Sequence, residues 1–294
     1  MAAVRRHYNR ASRETAQERR RSGHLALRRF HNALKAALFR RAGGGRPPAH
    51  VLDLACGRGG DLSKWAALGA RRYTGVDIAE EALDVARQRY AHLRLDQQYL
   101  CHDMITFRSP HVHDMISIQF AMHYAGATRA RLHALWAAAA AQLAPGPGAR
   151  VVCTFPDARA LARAALTAAR RQGRENENDE DDLVVDDNPL VRLRFPAATR
   201  RALLRMAPAP APAPAPWGLA VHWALGALVD DRVPEYILWP EHVAGAARAA
   251  GLRVVETDNF HAFAYRHGVP QDGLSENEWA VSRLYRTLVA ARAS

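Results

Sequence analysis

Apolar and polar positions alternate along this chain in blocks that mark out its elements. Leu27, Phe30, Leu34 and Leu38 recur at helical spacing within residues 24–41, and Gly43-Gly44-Gly45 with Pro47-Pro48 end that helix. From His50 short apolar runs exchange with amphipathic segments. Strands are predicted at 50–56, 72–78, 97–104, 114–121 and 149–155, and helices near 60–69, 80–93, 128–143 and 157–171. Glu80-Glu81 suit a helix N-terminus, and Pro145-Gly146-Pro147-Gly148 is a turn. This order predicts an α/β fold, a mostly parallel sheet with helices on both faces.

Two stretches break the pattern. The acidic run Glu175 to Asp187, within 173–188, has no apolar period and reads as a solvated, mobile loop. Residues 207–216 repeat Ala-Pro five times, an extended spacer that neither helix nor sheet can cross. Short strands are expected at 189–195 and within 217–238. Then come a helix at 241–250, a strand at 252–260 and a last apolar segment at 279–290. The predicted organisation is a basic arm and helix over 1–46 and one domain over 47–290, with insertions at 172–188 and 207–216. Shortening 207–216 is expected to leave activity intact.

Composition adds charge to this picture. The 294 residues carry a formal net charge of +12, which calls for a polyanionic partner, nucleic acid first. The arginine-rich N-terminus is read as an arm for RNA or a partner. Cys56, Cys101 and Cys153 form no close pair, so a disulfide framework and a structural zinc site are not expected, and a reducing, intracellular setting is. No apolar run is long enough to span a membrane. His111-x-His113 lacks carboxylate or thiol neighbours, and no metal is expected.

Candidate chemistry gathers at strand ends. Ala55-x-Gly57-x-x-Gly60 follows the first strand as a small-residue turn that brings backbone close to a nucleoside. Asp77 stands 22 residues after Ala55 at the end of the second strand, placed to accept both ribose hydroxyls. Those features fit a nicotinamide cofactor and S-adenosylmethionine alike. Asp53 inside the first strand, and the cations Arg58 and Lys64 in and after the turn, favour the second. Asp103 and Gln119 close the third and fourth strands, where an open α/β sheet binds its ligand.

With these residues in place, the chain resembles the eukaryotic and viral mRNA cap guanine-N7 methyltransferases. The likeness is carried by Asp53 to Leu62 with Lys64-Trp65, by Ser117-Ile118-Gln119-Phe120-Ala121-Met122-His123-Tyr124, and by Val233-Pro234-Glu235-Tyr236. His7-Tyr8-Asn9, Phe30 to Lys35, Glu278-Trp279 and Tyr285 extend it over almost the whole chain. The resemblance implies a class I S-adenosylmethionine-dependent methyltransferase fold: Rossmann-like, seven-stranded, with inserted β elements and an N-terminal helical extension. For the methyl donor it implies Lys35, Ala55, Gly57, Asp77, Asp103, Gln119 and Tyr124. For the capped RNA it implies His31, Asn32, Arg58, Lys64, Arg89, His123, Glu235 and Tyr285.

Within that set Glu235, His123 and Tyr285 would position the guanine, and no general base is required. N7 of guanine has an in-plane lone pair and no proton, so it can attack the sulfonium methyl directly, and alignment is the enzyme's main task. Glu235 can accept from the guanine N1–H and exocyclic amine, and Arg58, Lys64 and Arg89 suit the triphosphate bridge, with Arg58 and Lys64 facing away from the methyl donor. Two residues depart from the family's pattern. Ala55 replaces a glycine, which is expected to weaken donor binding modestly, and His31 replaces an asparagine. Other acceptors of a class I methyltransferase, and a non-catalytic RNA-binding capping subunit, are the alternatives. Other capping enzymes or an activating subunit are further partners to consider. The short N-terminus leans toward a viral or minimal form; the setting is the nucleus if the protein is cellular, and the virion or host cell if viral.

Overall fold

Strands alternate with helices as the apolar pattern predicts, and seven of them join in one sheet. The computed structural model describes residues 4–6, 9, 25–206, 215–225 and 233–293. After helix α1 (Leu25–Gly43) come β1 (His50–Leu54), α2 (Leu62–Ala67), β2 (Arg72–Asp77), α3 (Glu80–Tyr90), β3 (Asp96–Cys101) and β4 (Met115–Gln119). A 3-10 helix (Met122–Ala127) leads into α4 (Arg129–Gln142), β5 (Arg150–Pro156) and α5 (Ala158–Arg171). Next come β6 (Leu183–Asn188), β7 (Val191–Phe195), α6 (Ala197–Met206), β8 (Ala220–Ala224) and β9 (Glu235–Tyr236), whose strands form a second sheet in the order β6-β7-β8-β9. The chain then runs through α7 (Pro240–Ala249), β10 (Leu252–Asn259), α8 (Phe260–His267), α9 (Glu276–Ser282) and β11 (Tyr285–Arg292).

The main sheet has the order β10-β11-β5-β4-β1-β2-β3. β1 to β5 are parallel and β11 enters antiparallel beside β5. Successive side chains of a strand point to opposite faces, so Val51 joins one buried cluster with α1 and α5 while Leu52 joins the other with α4 and α7. On the first face Phe39 stacks on Trp65 with ring centroids 3.9 Å apart, which locks α1 over the turn after β1. The buried carboxylate of Glu278 accepts the Leu27 N–H at 3.0 Å and closes a capping box with Ser275. One side chain thus ties α1 to α9.

Several expectations change. The acidic run is not a loose loop throughout: it ends in β6, and its acids are held by arginines. Arg174 pairs with Asp181 at 2.8 Å, Arg194 with Asp182 at 2.8 Å and Arg205 with Glu177 at 2.8 Å. These pairings join residues from separate elements and are invisible to a one-dimensional reading. Helices α6 and α8 were not anticipated; α8 starts inside what reads as strand, because Asn259 caps it by accepting the His261 N–H. The segment 279–290 divides between α9 and β11. Most of the Ala-Pro spacer, residues 207–214, lies outside the described residues, as do His7 and Tyr8 and most of the basic arm.

Candidate active site

The C-terminal ends of β1, β2 and β4 border an open cavity of about 720 Å³, part of it continuous with solvent. Ala55, Gly57, Asp77, Asp103, Gln119 and Tyr124, all expected to contact the methyl donor, line it. Ile78, His102, Met104, Phe120, Ala121 and Val4 complete its walls. Gly57 has φ 52° and its N–H donates to Asp77 Oδ2 at 2.8 Å, while Asp77 Oδ1 accepts from Ala79 N–H at 2.9 Å. Burial raises the Asp77 carboxyl above the usual range against the pull of these N–H groups. Each carboxylate oxygen keeps a second lone pair, so Asp77 can still accept ribose hydroxyls. The residues present therefore fit a nucleoside sulfonium donor.

Ala55 sits at φ 60°, in the left-handed region where glycine is at ease and an L residue is strained. The family's glycine at this position has a backbone reason. Asp53, two residues earlier on β1, is buried and accepts a hydrogen bond from the Tyr73 hydroxyl at 2.8 Å. Burial, then the neighbouring Asp61, pushes its carboxyl up to about 7.

Lys35 belongs to a buried triad the sequence does not reveal. Its Nζ lies 2.7 Å from Asp61 Oδ1, and Lys64 Nζ lies 2.7 Å from the same oxygen. Burial alone would raise the Asp61 carboxyl, but the two ammonium groups outweigh it and hold the group below its usual value. Asp61 stands at the N-cap of α2 yet makes no capping bond, because its carboxylate is turned to the lysines. Lys64 folds inward onto Asp61 and donates to the Gly60 carbonyl at 3.0 Å, a geometry that satisfies a cation shielded from water. Its own ammonium is lowered, chiefly by burial.

Glu235 arrives from the second sheet. β9 pairs with β8, placing Glu235 opposite Val221, and its carboxylate is buried with Oε2 3.3 Å from His123 Nε2 and Oε1 3.4 Å from the Tyr124 hydroxyl. Neither ring nitrogen of buried His123 has an aligned hydrogen-bond partner. Tyr285, at the start of β11, meets His31, Phe120 and Phe260 with centroids 5.3, 5.2 and 5.6 Å apart, and stacks on Trp223 at 5.6 Å. His31 Nε2 is shut from solvent and also lacks a partner. Burial and then Lys35 press its imidazole down to about 3, so it is neutral across the working range.

Other expected residues stand apart. Asn32 is exposed on α1, Arg89 is exposed with its guanidinium 5.1 Å over the Tyr90 ring, and Arg58 is half-buried in the turn. Asp103 lines the cavity while accepting the Ile105 N–H at 2.9 Å. Gln119 directs its amide into the sheet, donating to the Val152 carbonyl at 3.0 Å and accepting from Thr154 Oγ1 at 3.0 Å. Asp61 and Phe120 were missed as site residues although both lie inside quoted motifs, because nothing in residue type alone shows which way they turn. Among the described residues one group, Glu256, Asp258 and His267, has metal-ligand spacing. It lies on β10 and α8, and its carboxylates already pair with Arg41 and Arg266.

Residues 1–276 match the profile described as the mRNA (guanine-N(7))-methyltransferase domain. The chain belongs to that family. Among curated proteins it is 30% identical over 318 residues to mRNA cap guanine-N(7) methyltransferase 1 of Oryza sativa subsp. japonica, covering 96% of this chain and 79% of the rice protein. To the mRNA cap guanine-N(7) methyltransferase of Schizosaccharomyces pombe it is 27% identical, over 86% of this chain and 66% of the yeast protein. With the Arabidopsis thaliana mRNA cap guanine-N(7) methyltransferase 1 the match spans 45% of that protein's length. Solved structures give the fold. CalS10, an amino pentose methyltransferase from Micromonospora echinaspora with SAM bound, superposes with a TM-score of 0.52 at 19% identity, over 95% of this chain and 97% of that one. An S-adenosylmethionine-dependent methyltransferase from Clostridium acetobutylicum gives 0.52 at 11% identity, over 90% of this chain and 92% of that one. The chain thus has the fold of class I S-adenosylmethionine-dependent methyltransferases, and its family identifies capped RNA as the substrate class.

Proposed function

We propose that this member of the cap guanine-N7 methyltransferase family moves a methyl group from S-adenosylmethionine to N7 of the cap guanosine, and that it does so by alignment and electrostatics. One observation carries the residue assignment. His123 and Glu235 form a buried polar pair beside the donor cavity, and both ring nitrogens of His123 lack an aligned partner. Buried polar groups are costly when unpaired, so this pair suits a polar planar ligand.

When bound, S-adenosylmethionine supplies an electrophilic methyl on sulfur. Asp77 and Gly57 would hold its ribose side and Lys35, set by Asp61, its carboxylate side. Glu235 would accept from N1–H and the exocyclic amine of guanine, and its charge favours the positive charge that grows on the ring as N7 attacks. Tyr285 and His31 would frame the base. Arg58 and Arg89 suit the triphosphate; Lys64 reaches it only by releasing Asp61. No side chain need remove a proton, because N7 carries none. Holding two reactants in line can contribute on the order of 7–11 kcal/mol.

The named relatives come from cellular eukaryotes such as rice and fission yeast, which supports a nuclear setting and leaves the viral reading without support. Activating or capping partners belong to the same proposal.

The test is methyl transfer from labelled donor to GpppRNA and to uncapped pppRNA of the same sequence. Label at N7 of the capped RNA alone is expected. Label on uncapped RNA only would overturn the reading.

A further inference from the structure

Among the described residues two that are not glycine have positive φ, Ala55 at 60° and Phe120 at 51°. Both line the donor cavity. For a bulky side chain this conformation is a true outlier, and such strain persists only where the surroundings over-determine it.

Thr154 on β5 supplies that determination. The Phe120 N–H donates to the Thr154 carbonyl at 2.8 Å and to its Oγ1 at 3.1 Å. The same hydroxyl sends its proton to Gln119 Oε1 at 3.0 Å. Thr154 is fully buried, opposite Gln119 on β4 and Thr287 on β11. One hydroxyl therefore pins the last residue of β4 and the residue after it. The Phe120 ring is left 5.5 Å from Lys35 Nζ, 5.2 Å from Tyr285 and 5.5 Å from His31, with the donor cavity beside it. It stands as a partition between that cavity and the aromatic cluster.

We propose that Thr154 is a positioning residue for methyl transfer: its hydroxyl holds Phe120 in the left-handed conformation that sets the wall between donor and guanine. The proposal rests on the functional reading above for what occupies the two sides; the strain and its hydrogen bonds stand without it. Threonine is suited to the task because one buried hydroxyl donates and accepts at once. Valine has the same shape and does neither.

A double-mutant cycle over Thr154→Val, Phe120→Ala and the double variant tests this, with Thr154→Ser as rescue. Turnover on GpppRNA and affinity for S-adenosylhomocysteine are measured for each, with thermal melts to monitor folding. Thr154→Val is expected to lower kcat about tenfold or more and leave KM for capped RNA within about threefold, since misplacement of a reacting partner costs turnover first. Thr154→Ser is expected within about twofold of the parent, and Thr154→Val to add under about twofold in the Phe120→Ala background. An unchanged kcat in Thr154→Val, a serine variant as impaired as the valine variant, or fully additive losses would each overturn the proposal. If Thr154→Val does not fold, Thr154→Cys, with a weak thiol donor, replaces it in the cycle. Should the parent protein fail to methylate GpppRNA, the functional reading falls; S-adenosylhomocysteine affinity lowered about threefold or more in Thr154→Val and restored in Thr154→Ser would still support Thr154 as holder of the cavity wall, and unchanged affinity in both would overturn it.

Discussion

Glu235 Oε2 and His123 Nε2 lie 3.3 Å apart, one brought by the two-residue strand β9 of the second sheet and the other by the 3-10 helix after β4. Replacing Glu235 by alanine removes the carboxylate and with it the 3.4 Å acceptor of the Tyr124 hydroxyl, while the Gly57 and Asp77 side of the donor cavity is untouched. Turnover on GpppRNA is expected to fall by about 10²–10³-fold, the usual cost of losing a preorganised charge at the reacting group. S-adenosylhomocysteine affinity, measured by calorimetry, is expected within about twofold of the parent. Equal losses in both would make Glu235 a structural residue.

Asp61 lies between Lys35 and Lys64, its Oδ1 2.7 Å from each ammonium. Asp61→Asn leaves two buried ammonium groups facing each other and is expected to destabilise the protein by about 3 kcal/mol, with weakened donor binding through Lys35. Because the folded-state carboxyl is held below its ordinary value, its stabilisation is present above about pH 4 and is lost as pH falls through the folded value. Urea unfolding of both proteins between pH 3 and pH 6 checks this: the gap between them should narrow at the acid end.

Asp53 has the opposite sign. Its folded-state carboxyl is raised to about 7 by burial and by Asp61, so the folded protein binds more protons than the unfolded chain between about pH 4 and pH 7. Stability from this group therefore falls as pH rises through that window and levels off above it. Asp53→Asn is expected to flatten the decline, so that the variant gains in melting temperature relative to the parent between pH 5 and pH 8. A constant difference across that range would remove Asp53 from the linkage.

Ala55→Gly relieves a left-handed alanine. Relief of that conformation, less the added entropy of an unfolded glycine, leaves an expected gain of about 1 kcal/mol. Product-homologue affinity should rise by a few-fold as the wall of the cavity relaxes. Chemical denaturation and calorimetry measure both; a destabilised variant would show that the methyl group packs productively.

The glycine turn, Asp77 and the strand-end residues were legible because backbone demands act locally. A strand followed by Ala55-x-Gly57 and an acid at the next strand's end announces its geometry in the order of residue types. Lys64 and Gln119 were legible only as candidates. Lysine four residues after a turn can reach outward or inward, and the choice depends on where α1 places Lys35. The Gln119 amide likewise depends on Thr154, a residue on another strand.

The sequence by itself determined the alternation of strand and helix, the polar ends of β1 to β4 and the set of residues available for the reaction, since periodicity and turn chemistry are properties of neighbours in the chain. The tertiary structure decided which groups meet. Only packing brings α1 across the β1 turn, sets Asp61 between two lysines, lays β9 beside β8 so that Glu235 reaches His123, and holds Phe120 in a conformation that its own sequence disfavours. Those arrangements rest on contacts between distant segments and on burial, which shifts charge energies in ways that no local pattern encodes.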